Sequence, residues 1–455
     1  MHHRSIVRAL LVPVVAFALQ QPAQAGTLQD LYQQALANDL NLQAARHQRD
    51  AALEARPQAA GALRPQVTAQ AGARQNRFEV LSVNNPANTN YRSNDEVFLS
   101  TNYSLQLSQP LFDWAAFKRL AAADESTAQA QAAFAASEQN LYVRFVSAYF
   151  AVLAAEDTLR ADLDAQAAFK QQAEQQGEKY RSGLASVTDA KNAQASYDSI
   201  SASVIADRLA VNTAKRALSL IVGTPVQAVA PLRDEFPLSP PTPNVVDAWV
   251  DAALADNPAL LSARHAADAA RQQRAAATGA RLPTVTAIGG VMRDTSDSTF
   301  GYNSQTAYVG ANLTWFLYRG GQVSSAIRAA DASAQQAESL YQLQRRSIEQ
   351  DVRNHFDGIT SGIAAVRAAA NAVQSQQASV VATEVGFKVG TRTIVDVLYA
   401  RQSLVSAQKS LAQVRYDYLV NLLSLKADVG QASATDLDDL DRLTVANAQA
   451  AHVEP

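Results

Sequence analysis

The chain has 455 residues, no cysteine and a formal net charge of −3. The absence of cysteine excludes disulfides, thiol catalysis, cysteine-based zinc sites and the lipid anchor of a bacterial lipoprotein. The nearly balanced charge provides no basic field for binding nucleic acid. Aromatic residues make up only 7% of the chain, a composition that favours long helices over a large mixed core.

The first residues have the pattern of a secretory signal peptide. Basic residues at Arg4 and Arg8 precede an apolar run over 9–19, and the small-residue pattern Ala23-Gln24-Ala25 follows. We therefore expect cleavage after Ala25 and export from the cytoplasm. The apolar run is shorter than the roughly 20 residues that a membrane-spanning helix needs.

The rest of the chain repeats itself. Ala45-Arg46-His47 recurs as Ala263-Arg264-His265, an offset of 218 residues. The first copy carries extra residues between about 72 and 122, after which the offset becomes 207, as Gly183 and Gly390 show. Matches at glycine, proline and charged positions make chance similarity between alanine-rich helices a poor explanation, so the chain contains two structural repeats.

The repeat divides the chain into five parts. We expect a signal peptide over 1–25, a first repeat over 26–223, a connector over 224–243, a second repeat over 244–430 and a C-terminal tail over 431–455. The connector is rich in proline, as a linker between two units should be. The tail is acidic, which predicts a mobile or surface-wrapping end.

Each repeat contains two segments in which apolar and polar residues alternate, the pattern of β-strands. We expect strands over about 63–80 and 97–110, and again over about 282–293 and 305–317. This length suits tilted membrane strands, and aromatic residues gather just past the strand ends, as they do at a membrane interface. Four strands cannot close a barrel, so copies of the chain must pool their strands, and two, three or four copies would give 8, 12 or 16.

Each repeat also contains a very long helix, over about Ala115–Arg181 and about Gln322–Val389. Neither segment contains proline, and apolar residues recur along one face at three- and four-residue spacing. A helix of about 65 residues is a rod of about 100 Å that must pack against neighbours. Together, the strands and helices predict a mixed α and β membrane protein, with a membrane barrel that continues into a bundle of long helices.

The turns after the two long helices resemble the periplasmic tip turns of the TolC family of outer-membrane factors. They lie at about 181–188 and about 389–394, and the resemblance extends over the whole mature chain. It implies a homotrimer with a 12-strand β-barrel in outer-membrane lipid, continuing into a long periplasmic α-helical barrel. It also implies the exit duct of a tripartite efflux pump or type I secretion system, with a periplasmic adaptor (membrane fusion) protein and an inner-membrane transporter as partners.

The resemblance assigns a periplasmic gate to these tips. Thr188 and Asp189 match the gate residues of the first tip, and Arg392 matches the gate arginine of the second. Phe387 falls where the family has a gate tyrosine, so that hydroxyl group is missing here.

The resemblance also assigns ion selectivity to the tunnel entrance. Asp396 matches the first of two entrance aspartates, and Tyr399 occupies the position of the second. Arg392, Asp396 and Tyr399 share one helix face because they lie four and three residues apart. Apart from the resemblance, Arg392 and Asp396 would be interpreted as a solvent-exposed pair within one helix.

We expect no catalytic site, cofactor or metal. The sequence contains no phosphate-binding glycine loop and no zinc-protease motif, and the repeat-equivalent His47 and His265 are expected to have packing roles. Two other functions stay open. A passive diffusion porin would need more strands per chain, and a helical envelope spacer without a pore would not explain the alternating strands. An enzyme is least favoured because no titratable residues converge.

Overall fold

The structure, a computed structural model, describes residues 27–79, 95–233, 236–299 and 301–442, so the predicted signal peptide lies outside the described residues. Ten helices and four strands lie in these ranges. In chain order they are α1 Leu28–Asn38, α2 Leu40–Leu53, α3 Ala55–Gly61, β1 Gln66–Glu79, β2 Asp95–Phe112, α4 Trp114–Arg181, α5 Val187–Val222, α6 Val246–Asp256, α7 Pro258–Gly279, β3 Thr284–Ser296, β4 Asn303–Thr314, α8 Gln322–Lys388, α9 Ile394–Asp428 and α10 Ala434–Asp441.

The four strands form one antiparallel sheet in the order β1-β2-β3-β4. Its register pairs Val67 with Leu107, Leu107 with Gly289, and Gly289 with Val309. These four residues therefore share one face, and the alternation of side chains along each strand places Leu105, Val291 and Leu313 there too. The face is uncovered in a single chain, where Val309 is 92% exposed.

The strand ends differ from the predicted ends by at most three residues. The last strand, β4, ends at Thr314 rather than at about 317. The chain leaves the sheet there because Trp315 turns back, and its Nε1 donates a hydrogen bond of 3.1 Å to the carbonyl oxygen of Arg281. Gly320 and Gly321 then take positive φ angles ahead of α8.

The long helices α4 and α8 contain 68 and 67 residues, which makes each a rod of about 100 Å. Each turns back at its tip into a shorter helix, giving two helical hairpins, α4–α5 and α8–α9. Helix α4 also packs against α7 and α9, which belong to the second repeat. Within the described part of the chain, no helix combines the length and the apolar character needed to cross a bilayer.

The main core lies about halfway along the long helices. Tyr142, Phe145, Tyr149 and Phe150 on α4 are all at most 1% exposed. The short helices α1, α6 and α10 and the connector pack around them. The hydroxyl of Tyr149 donates a hydrogen bond of 3.0 Å to the carbonyl oxygen of Ala230, which ties the connector to the core.

The described part of the C-terminal segment forms helix α10, which packs against α1. Leu437 and Leu440 are buried. The Asp441 carboxylate accepts hydrogen bonds of 2.9 and 3.0 Å from the backbone N–H groups of Leu28 and Gln29. The first N–H groups of a helix have no partner inside the helix and favour a negative charge. This acidic residue therefore caps α1.

Candidate functional site

The two hairpin tips use the same turn. Gly183 and Gly390 follow the long helices with φ angles of 77° and 82°, a left-handed conformation that glycine adopts without strain. Ser186 and Thr393 then serve as the N-caps of α5 and α9. The tandem repeat is thus visible as two copies of one turn at the same end of the molecule.

Each cap fixes one of the predicted aspartates. The side chains of Ser186 and Thr393 accept hydrogen bonds from the backbone N–H groups of Asp189 and Asp396. In return, the Ser186 hydroxyl donates to Asp189 Oδ2 at 2.8 Å, and the Thr393 hydroxyl donates to Asp396 Oδ2 at 2.9 Å. Both carboxylates are therefore held in the first turn of a helix, at the outer surface of a tip.

The charge of Asp396 is further stabilised by its surroundings. The backbone N–H of Thr393 donates to Asp396 Oδ2 at 2.8 Å. This bond, the Thr393 hydroxyl and the nearby Arg392 cation together hold the pKa of the Asp396 carboxyl below its usual range. Asp396 therefore remains ionised near neutral pH.

Arg392 and Thr188 are exposed at the tips. Arg392 acts electrostatically on Asp396, four residues further along the chain. Among the described residues, no hydrogen bond or ion pair joins Arg392 to Thr188 or Asp189. One chain therefore brings Arg392 and Asp396 together, and its described residues form no bond between Arg392 and these two residues of the first tip.

Phe387 contacts the first hairpin by packing. It lies against a group of buried residues that we name the tip cluster, namely Ala165, Phe169, Ala173, Ala193, Ile200, Ile394, Val397, Leu398 and Val405. The cluster contains residues of α4, α5 and α9, so it joins the two hairpins. The Nζ atom of Lys179, near the end of α4, lies 5.1 Å from the centre of the Phe387 ring, a cation–π contact.

A second connection between the hairpins lies farther from the tips. Lys409 on α9 places Nζ 2.7 Å from Asp162 Oδ1 on α4 and 3.4 Å from Asp207 Oδ2 on α5. We name these three residues the hairpin junction. Asp162 is 0% exposed, and its carboxylate accepts no hydrogen bond of good geometry. Burial raises the pKa of the Asp162 carboxyl, which Lys409 opposes and Asp207 reinforces.

The sequence interpretation missed this junction. Its three members come from three helices and lie far apart in the chain. One signal was present, because Asp162 precedes the buried Ala165 by three residues and Phe169 by seven, which places it on the apolar stripe of α4. A charged residue on such a stripe needs a partner, and the stripe itself does not tell which one.

Comparison with known proteins decides the family. The family model described as outer membrane efflux protein matches residues 31–224 and 249–431. The chain belongs to this family. It is 33% identical to the outer membrane protein TolC of Vibrio cholerae, over 95% of this chain and 97% of that protein. It is 30% identical to the alkaline protease secretion protein AprF of Pseudomonas aeruginosa, over 92% of this chain and 88% of AprF.

Solved structures show the same fold. The outer membrane protein VceC of Vibrio cholerae gives a TM-score of 0.75 at 19% identity, covering 89% of this chain and 96% of VceC. The CmeC outer membrane channel of Campylobacter jejuni gives a TM-score of 0.76 at 16% identity, covering 96% of this chain and 98% of CmeC.

These matches confirm the family that the tip turns indicated and the fold class of long helices joined to a small sheet. This outer membrane efflux protein is a transport channel, an exit duct in the outer membrane. Its helical part extends into the periplasm.

Proposed function

We propose that three copies of the chain form one continuous duct, with a 12-strand β-barrel in the outer membrane and a helical tunnel through the periplasm. The main support for this proposal is the four-stranded sheet. It is apolar on one face, and its edge strands β1 and β4 pair with no other strand of the described chain. Unpaired edges are not stable in lipid. Because the sheet has four antiparallel strands, β4 of one copy runs antiparallel to β1 of the next, and a ring of copies closes the barrel.

The gate of the duct lies at the hairpin tips and involves Thr188, Asp189, Phe387 and Arg392. Phe387 holds the second tip to the first within one chain, through the tip cluster. Arg392 is exposed and makes no bond to Asp189 within the described chain, so its hydrogen bond to Thr188 and Asp189 forms between neighbouring copies. A charge-assisted hydrogen bond contributes about 1.5–3 kcal/mol when shielded, and less at an exposed tip.

Removing this bond from every copy should open the gate. We expect Arg392→Ala and Asp189→Ala to raise single-channel conductance in planar bilayers and to admit large antibiotics into cells. Arg181→Ala is the matched control, because Arg181 is also an exposed arginine of the first tip and, among the described residues, pairs with Glu178 of its own helix. If the Arg392 and Asp189 variants conduct like the wild type, the gate role is rejected.

The duct works with a periplasmic adaptor protein and an inner-membrane transporter, and exports small molecules, proteins or both. The name of the family supports efflux, and the name of AprF supports protein secretion. Reconstitution with candidate transporters and their adaptors would identify the cargo. A candidate pair is rejected if transport across both membranes is the same with and without this channel.

A further inference from the structure

Three metal-ligating side chains converge between α4 and α7, far from the tips. Glu125 of α4 and His265 and Asp268 of α7 each provide one donor atom, and these atoms lie within 4.8 Å of one another. His265 Nδ1 is 2.7 Å from Glu125 Oε2. The three side chains are 33%, 33% and 27% exposed. His265 thus makes a polar contact between helices, whereas its isolated position in the sequence predicted only packing.

We propose that Glu125, His265 and Asp268 form a binding site for a divalent transition-metal cation of the Zn²⁺ type. One imidazole nitrogen and two carboxylate oxygens are ligands that Zn²⁺ accepts at about 2.0–2.2 Å, with water in the remaining position. Donor atoms of a tetrahedral site with these bond lengths are about 3.4 Å apart. Small side-chain rotations therefore bring the three donors around one ion. Mg²⁺ prefers six oxygen ligands and fits this set poorly.

The neighbouring Arg271 supports the site. It forms an ion pair with Oδ1 of Asp268 and another, at 2.6 Å, with Oε2 of Glu338 on α8. Arg271 is thus shared between two carboxylates, and the second oxygen of Asp268 is available to a cation. Hydrogen bonds of this kind orient the carboxylates that bind metals.

The tandem repeat supplies a matched comparison inside the same chain. His47 and Asp50 of α2 correspond to His265 and Asp268, but the residue that corresponds to Glu125 in the second repeat is Ala332. The first repeat therefore has the imidazole and one carboxylate, and the second long helix lacks the third ligand. Among the described residues, the pairing of α4 with α7 is the one that gives a complete set of three.

A cation in this site would join the two repeats to each other. Glu125 lies in the first repeat, about 17 Å along α4 from Trp114, where the helix leaves the sheet. His265 and Asp268 lie in the second repeat. Binding would therefore stiffen the helical wall close to the membrane, at a distance from the gate.

Calorimetric titration with Zn²⁺ tests the site. The full-length protein carries a histidine-free tag, is purified as its assembled oligomer and is first treated with a chelator. We expect one Zn²⁺ per chain, and Mg²⁺ should not compete. Glu125→Gln and His265→Ala should each weaken binding at least about tenfold, and His47→Ala should leave it unchanged. Bound Co²⁺ should give a visible absorption band that Glu125→Gln abolishes.

Two outcomes would overturn the proposal. One is a wild-type protein that binds no Zn²⁺, and the other is a Glu125→Gln protein that binds as many ions as tightly as the wild type. Glutamine preserves the size of the side chain, so this variant should assemble normally. If His265→Ala does not assemble, the result for Glu125→Gln decides the question alone.

Discussion

In the proposed gate, Phe387 packs against its neighbours and lacks the hydroxyl group of a tyrosine. Its ring packs against the tip cluster and lies 5.1 Å from Lys179 Nζ. A cation–π contact at an exposed site contributes about 0.5–1 kcal/mol. Truncating a fully buried aromatic residue to alanine lowers the free energy of unfolding by about 3–5 kcal/mol. A half-buried ring contributes a fraction of that amount. Packing is therefore the larger contribution of this residue to the closed state.

We expect Phe387→Ala to increase the rate of spontaneous opening and Phe387→Tyr to decrease it. The first change removes contacts between the hairpins, and the second adds a hydroxyl group to a ring that already packs there. Single-channel recordings in planar bilayers measure both rates. Tyr180→Ala is the control, since Tyr180 is the repeat-equivalent aromatic residue and lies outside the tip cluster. An opening rate in Phe387→Ala equal to that of the wild type would contradict this account.

At the scale of elements, two of the contacts that join the two hairpins differ in their chemistry. The tip cluster is apolar, and the hairpin junction is ionic. The carboxyl of Asp162 has a raised pKa because it is buried. A carboxyl that binds its proton more tightly in the folded state makes folding less favourable as pH rises from its ordinary pKa through the raised value. The junction therefore stabilises the fold less at neutral pH than in acid.

Asp162→Asn should raise the thermal unfolding temperature of the assembled protein at neutral pH. The gain should disappear below the ordinary aspartate pKa of 3.8, because Asp162 is then protonated in both states. Lys409→Met should lower the unfolding temperature at neutral pH, since it leaves a buried carboxylate without its cation. Removing one partner of a buried ion pair lowers the free energy of unfolding by about 3–5 kcal/mol, and we expect the lower end of that range here. Asp164→Asn, which changes an exposed carboxylate of the same helix, should have little effect. An unaltered pH dependence in Asp162→Asn would refute this interpretation.

The elements themselves were largely predictable because they follow from local patterns. The absence of proline over about 65 residues predicted the long helices, and alternation predicted the strands. Contacts between residues distant in sequence were harder to predict. At Gly358, for example, an added Cβ atom would lie 2.7 Å from Asn421 Nδ2 of α9, so this glycine permits close packing of two helices.

The candidate site was predictable to the same extent. The glycines of the tip turns and the caps that fix Asp189 and Asp396 follow from short patterns. The hairpin junction does not, because three helices must pack before its members meet. The partner of Arg392 is a different case, since the described part of one chain places Asp396 near it and the gate contact that we propose lies between copies.

At the scale of the whole molecule, the two faces of the sheet should differ in their tolerance of charge. Val309 belongs to the apolar face, and Gly310 is its neighbour on the opposite face, with open space around an added Cβ atom. We expect Val309→Arg to prevent the formation of heat-modifiable oligomers in outer-membrane fractions. An arginine that faces lipid at the middle of the membrane destabilises the folded barrel by about 2–4 kcal/mol in each chain.

Gly310→Arg is the matched control at the same depth and should still assemble, with a lower conductance because its side chain faces the interior of the barrel. Equal loss of oligomers in both variants would show that the apolar face does not contact lipid. Normal assembly of both variants would also show that the apolar face does not contact lipid.

The entrance of the tunnel depends on assembly as well. In a trimer, three Asp396 carboxylates surround one opening and create a local negative potential, which salt screens over about 8 Å at physiological ionic strength. Tyr399 is 76% exposed on the same helix face and adds no charge. The channel should therefore be cation-selective, with weak block by trivalent cations that becomes stronger at low salt.

Reversal potentials and trivalent block, measured in planar bilayers, test the role of Asp396. Asp396→Asn should reduce cation selectivity and block, and Tyr399→Asp should deepen the block, because it adds a second ring of charge. In the wild type, the hydrogen bonds from Thr393 keep the pKa of Asp396 below its usual range, so selectivity should decline only at a pH below the range in which an aspartate carboxyl usually titrates. If Asp396→Asn retains the selectivity and block of the wild type, the entrance charge belongs to other residues, and Asp396 serves only as the cap partner of Thr393.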